Sequence, residues 1–115
     1  MADELSPEEQ QEMISFGIVA SAGTARSLAF EALKAAKEGD YDKADDLMKQ
    51  SEEASLEAHH QQTALLSKEA SGEHTPVDVL LVHAQDHLMT SMLAQELIKE
   101  LIELYRGQGG GVDAA

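Results

Sequence analysis

His83, Asp86 and His87 fall within five residues of one another, inside the run TPVDVLLVHAQDHLMTSMLAQEL that spans 75–97. Nearly everything around them is apolar. At positions i, i+3 and i+4 the three side chains neighbour one another on one face of a helix. A polar island in so apolar a segment has to be hydrogen-bonded, bound to a metal or opened to a cleft, because an unpartnered buried polar group costs free energy. Three chemistries meet that demand. His–Asp hydrogen bonds could fix helix register and do nothing more. Histidines at i and i+4 could share a metal ion, as in helical zinc motifs, although no HExxH pattern is present. Or an imidazole could act as a nucleophile. Neutral near pH 7, it attacks a phosphoryl group and passes it on. Such a carrier needs an exposed ring nitrogen, an orienting contact and donors for the phosphate. It needs no nucleotide-binding loop, and neither GxxxxGK[ST] nor GxGxxG occurs here. Spacing alone leaves all three open.

The totals exclude some partners. The chain has 115 residues, enough for one domain. Its 22 acidic residues against eight basic ones give a formal net charge of −14, which argues against nucleic acid and against an anionic membrane surface. A basic protein partner would be steered in by the same field. There is no cysteine, so disulfides and thiolate zinc sites are excluded. The polar, acidic start MADELSPEEQQEM is unlike a signal peptide, and the apolar runs fall well short of the roughly 20 residues a membrane span needs. These features predict a cytoplasmic location. Ala, Leu, Glu, Lys, Gln and Met dominate, aromatic residues are few, and the fold class is all-α.

Three helices must position the island. Ser6-Pro7-Glu8-Glu9 is a capping box with a first-turn proline, and the helix it opens should run to about Lys37, with Gly39 as its stop. Gly17 and Gly23 inside it point to close packing on a neighbouring helix, since each costs about 1 kcal/mol relative to alanine. Asp40 caps a second helix that ends near Ser71-Gly72. Thr75-Pro76-Val77-Asp78 repeats the opening grammar for a third helix reaching about Arg106. The domain therefore covers residues 1–106. The glycine-rich residues 107–115 are expected to be a disordered tail. Short connections between long helices give an antiparallel, up-down-up bundle.

On a helical wheel the C-terminal half of the third helix is amphipathic, with Gln95, Glu96, Lys99, Glu100 and Glu103 opposite its apolar face. The N-terminal half is apolar nearly all round, through Val77, Leu81, Val82, Leu88, Met89, Met92 and Leu93. A bundle of three helices buries only one face of each, so the surplus predicts a symmetric self-assembly.

The segment HAQDHLMTSMLA, with ARSLAFEALKAAKEGDY at 25–41 and the AHxxQT pattern at 58–63, resembles the enzyme IIA component of the bacterial sugar phosphotransferase system, lactose/cellobiose/diacetylchitobiose class. The likeness runs in order from about 13 to 105. It implies a homotrimer of three-helix protomers and a phosphocarrier function. His83 would accept a phosphoryl group on Nε2 from the histidine phosphocarrier HPr and pass it to the cysteine of enzyme IIB. The membrane component IIC would then import and phosphorylate a β-linked disaccharide (cellobiose, chitobiose or lactose). It further implies that Asp86 and its symmetry mates hold one Mg²⁺ on the threefold axis. That is electrostatically sound, since converging carboxylates repel and a hard cation with oxygen ligands neutralises them. His59, Gln62 and Thr63 match the AHxxQT positions and share a helical face that could line the His83 pocket, or could merely make a contact between helices. His87 is expected to be a buried, hydrogen-bonded neighbour of the site, His60 and His74 to be surface or loop residues, and Arg26, which matches the ARSLA of the family, to pair with a glutamate in preference to the alternative of meeting phosphate. The competing class is a non-catalytic oligomerisation or regulatory module that kept the fold.

Overall fold

The computed structural model describes residues 4–114, with side chains as far as 108. Three α-helices carry it: α1 (Pro7–Lys37), α2 (Tyr41–Ala70) and α3 (Val79–Ala114). No strand occurs among the described residues. The first boundary follows the local chemistry. The Ser6 hydroxyl accepts from the Glu9 amide (3.1 Å) and the Glu9 carboxylate accepts from the Ser6 amide (3.0 Å), which closes the capping box. Gly39 ends the helix at φ +83°, a left-handed conformation that side-chain-bearing residues avoid. Asp40 then caps α2 through the Lys43 amide, and Gly72 ends that helix at φ +94°.

The third helix departs from expectation at both ends. Its cap is Asp78 and not Thr75: the Asp78 carboxylate accepts from the Leu81 amide at 2.8 Å. Pro76 stays in the extended connection, where its carbonyl accepts from Gln11 Nε2 of α1 at 2.6 Å, tying the loop to the first helix. At the other end α3 passes Arg106 and continues through Ala114, where a disordered tail is expected from 107. No proline interrupts it, and each further residue adds one hydrogen bond to an existing helix. Ala115 lies outside the described residues.

Cross-helix contacts fix the topology. Ser51 of α2 reaches Ala25 of α1, and Gln61 lies against Gly17, so α1 and α2 run antiparallel. Tyr41 donates to the Tyr105 carbonyl, Lys99 pairs with Glu52 and Gln85 with Gln62, so α2 and α3 also run antiparallel. The bundle is up-down-up as expected. Gly17 serves the close packing its position suggests, since a Cβ there would lie 3.0 Å from the Gln61 amide. Gly23 does not, because a Cβ there would meet nothing within 4 Å.

Small residues make the core. Ala29, Ala32, Ala36 and Ala44 are buried with Met48, Ile98 and Ile102 at one end. Ile18, Ala22, Ala58, Leu81, Ala84 and Leu88 form a second cluster around the level of His83. Between the two lies a polar layer in which the buried Ser51 hydroxyl donates to the Ala25 carbonyl (2.6 Å) and accepts from Gln95 Nε2 (3.0 Å). The alanine and glycine content also makes α1 long and apolar enough, by length and composition alone, to cross a bilayer, which the lengths of the uninterrupted apolar runs do not reveal. In the bundle its Ile18, Ala22, Ala25, Ala29 and Ala32 are covered by the other two helices.

Candidate functional site

The core-facing residues of α3 are Leu81, Ala84, Leu88, Ser91, Ile98 and Ile102. That orientation places Gln85 toward α2, where its Nε2 donates to Gln62 Oε1 at 2.6 Å. His83 and His87 lie on the flank toward α1. Asp86 points away from the core altogether, since an offset of two residues from Ala84 is about 200° of rotation. The island thus separates into two directions, and no carboxylate bridges the two imidazoles.

His83 is exposed and His87 is half-buried. Their rings meet edge to face, with centroids 4.3 Å apart and planes at 75°. This is a packing contact that limits ring rotation, and the position of His83 leaves its nitrogens open to a reaction partner. His87 was expected to be buried and hydrogen-bonded. It is neither: among the described residues its side chain makes no hydrogen bond. Its ring packs against His83 instead, as i and i+4 neighbours on one helix face can.

Beside the pair, between α1 and α3, opens a cleft of about 550 Å³ bounded by Gly23, Arg26, Ser27, Phe30, Glu31 and Lys34 of α1 and by His87. Arg26 does not make the ion pair expected of it. Its guanidinium lies over the Phe30 ring at 5.8 Å from the centroid, and no carboxylate among the described residues is within ion-pair distance. At i−4, i−3, i+3 and i+4 its own helix offers Ala22, Gly23, Ala29 and Phe30, none of them acidic.

His59 and Thr63 are exposed on α2, and neither they nor Gln62 border this cleft within one chain. Gln62 joins the site indirectly, by holding Gln85 two residues from His83. The Gln85 contact escaped the sequence because an i+2 offset from His83 puts it on the α2 side, outside the face on which chemistry was sought. His60 is exposed, and His74 pairs with Glu69 in the α2–α3 connection. That pairing, with a hydrogen bond from the Thr75 amide, holds the Glu69 carboxyl below the usual glutamate range.

Asp86 lies in the middle of an uncovered apolar stripe. Val82, Met89, Leu93 and Leu97 are each 55–62 % exposed on the same side of α3. Among the described residues no group of three His, Asp or Glu side chains converges within one chain in a way that could hold a metal ion. A single protomer supplies one carboxylate to this position.

Comparison with known proteins places the chain in a family. Residues 13–106 match the family described as PTS system, Lactose/Cellobiose specific IIA subunit. The chain is 50% identical over 98 residues to the PTS system lactose-specific EIIA component of Lactococcus lactis subsp. lactis, covering 85% of this chain and 93% of the relative. Among solved structures it resembles the PTS cellobiose-specific enzyme IIA from Bacillus anthracis, with a TM-score of 0.84 and 44% identity over 95% of this chain and 96% of that one. It also resembles the IIA(Chitobiose) protein solved in complex with HPr from the N,N'-diacetylchitobiose branch of the Escherichia coli phosphotransferase system, with a TM-score of 0.75 and 47% identity over 92% and 99% of the two chains. An all-α bundle with an exposed histidine in HAQDH, matched along nearly its whole length, makes this chain a member of the lactose/cellobiose-specific IIA family of phosphotransferase-system components.

Proposed function

We propose that His83 is the phosphoryl-carrying residue of this IIA protein. The observation that carries the proposal is its exposure beside His87, which holds its ring edge-on, in a segment otherwise apolar. Phospho-HPr is the donor, a reading supported by the structural likeness to a IIA protein solved with HPr. The lone pair of His83 Nε2 attacks phosphorus while Nδ1 keeps its proton. The P–N bond of the donor breaks, and its electron pair returns to the donor imidazole. No proton has to move, and the transfer is nearly balanced because both ends are phosphoramidates. The acceptor is the cysteine thiolate of enzyme IIB, which attacks the same phosphorus and returns the electron pair to His83 Nε2. The sugar, a β-linked disaccharide entering through IIC, never meets this chain. Its place of work is the cytoplasm.

The assembly is a homotrimer built on the α3 stripe. Asp86 at the centre of that stripe would face its two symmetry mates on the axis, where three converging carboxylates would suit a hard divalent cation such as Mg²⁺. When bound, the ion would supply charge neutralisation there. Asp86 itself has no part in the transfer, since it points about 60° of helix rotation away from His83.

The test is incubation with phosphoenolpyruvate, enzyme I and HPr, followed by intact mass under alkaline conditions. One phosphoryl group per chain is expected, lost in His83→Gln and kept in His87→Gln. A wild-type protein that gains no phosphate would leave a helical module without carrier activity.

A further inference from the structure

The cleft beside the histidine pair has one charged wall to which the transfer reaction as written gives no task. Arg26 and Lys34 are two of the eight basic residues in a chain with 22 acidic ones, and both line this cleft without a carboxylate within ion-pair distance among the described residues. Arg26 lines the cleft from α1, with its guanidinium over the Phe30 ring. Gly23 borders the same cleft, and the space where its Cβ would stand is empty to 4 Å. His87 borders the cleft from the other side and touches the His83 ring at 4.3 Å. A phosphoryl group on His83 would add a dianion beside His87, which lines a cleft whose α1 wall carries the Arg26 guanidinium and the Lys34 ammonium, with no side chain at Gly23 to fill the space.

We infer that Arg26 contacts the phosphoryl oxygens during transfer to and from His83; the inference rests on the phosphocarrier reading above. A guanidinium presents two parallel N–H donors to phosphate, and its fork matches the equatorial oxygens, over which charge spreads as phosphorus passes between nitrogens. It keeps its protons throughout, so the balance of the step is unchanged. The Phe30 ring holds the guanidinium in place without neutralising it, as an aromatic face does and a carboxylate would not. Glu31 is the acidic group on the same cleft, five residues along α1, and at that offset it is no helical neighbour of Arg26.

Rapid-quench, single-turnover transfer from phospho-HPr tests the assignment, with the donor concentration varied and phosphohistidine read by mass. Removing one preorganised donor to a developing anion costs about 100-fold in rate. Arg26→Gln should therefore lower the maximal rate about 100-fold with the half-saturating donor concentration little changed. Arg26→Lys should recover about tenfold of that loss, because one charge returns without the fork. Lys43→Gln removes the same charge at the far end of α2 and should stay within about twofold of wild type, separating contact from the general field. Helical circular dichroism verifies that the variants are folded, as expected for an exposed residue. A maximal rate for Arg26→Gln equal to wild type, or a loss confined to the half-saturating concentration, overturns the assignment while leaving His83 as carrier. A wild-type protein that is not phosphorylated overturns the carrier reading itself and this inference with it.

Discussion

A serine hydroxyl in the middle of a helical bundle needs partners, and Ser51 has two, the Ala25 carbonyl and Gln95 Nε2. Ser51→Ala strands the Gln95 donor and should destabilise the fold by about 1–2 kcal/mol in urea unfolding. Ser91 is equally buried but its hydroxyl has no partner, so Ser91→Ala should be neutral or stabilising in the same assay. Glu69 offers a second residue-scale test. Its carboxyl is held low chiefly by the His74 hydrogen bond. A carboxylate with a depressed pKa stabilises the fold above its ordinary value and loses that contribution as pH falls through the depressed one. Carboxyl titration by NMR should thus put Glu69 below 4.5, and His74→Ala should move it back toward that value. At this scale the sequence was informative about identity and poor about partners. The adjacency of His83 and His87 follows from i, i+4 spacing alone. That Arg26 lies on Phe30 does not, because both an ion pair and a stacked guanidinium satisfy the same composition.

Helix boundaries were legible wherever a short-range hydrogen bond or a left-handed glycine decides them. Ser6 with Glu9, Asp40, Gly39 and Gly72 all act as their positions suggest. The start of α3 was not legible, because two cap candidates three residues apart compete and a contact from another helix chooses between them. Gln11 holds the Pro76 carbonyl in the connection, which leaves Asp78 to cap. Asp78→Ala should therefore cost about 1 kcal/mol in thermal unfolding, and Thr75→Ala less than half as much. Equal losses would mean that Thr75 caps after all. At its far end α3 continues past Arg106, since glycine lowers helix propensity by about 1 kcal/mol per residue but does not by itself stop a helix already under way.

At the scale of the whole molecule the uncovered stripe on α3 was foreseeable, since hydrophobicity around the full circumference of a helix exceeds what two neighbours can cover. How many copies cover it was not, and the trimer rests on the family likeness and on Asp86 at its centre. Asp86→Leu should raise the stability of the metal-free assembly by a few kcal/mol per trimer, because three desolvated, mutually repelling charges are replaced by apolar volume. Its melting should also stop responding to Mg²⁺, as the binding linkage is lost. Scans of both proteins in EDTA and in Mg²⁺ decide the matter; a variant that falls into monomers, or that still shifts with Mg²⁺ as wild type does, removes the axial ion. The two hydrophobic clusters separated by the Ser51 layer carry a consequence for timing. Cooperativity between stacked halves depends on continuous apolar contact, and a polar layer interrupts it. Amide exchange should then sort into two populations, with the Ala36–Met48–Ile102 half and the Ile18–Ala58–Leu88 half opening at different free energies. The half that holds His83 then opens while the α1–α2 turn stays closed, a local looseness that never unfolds the whole protein.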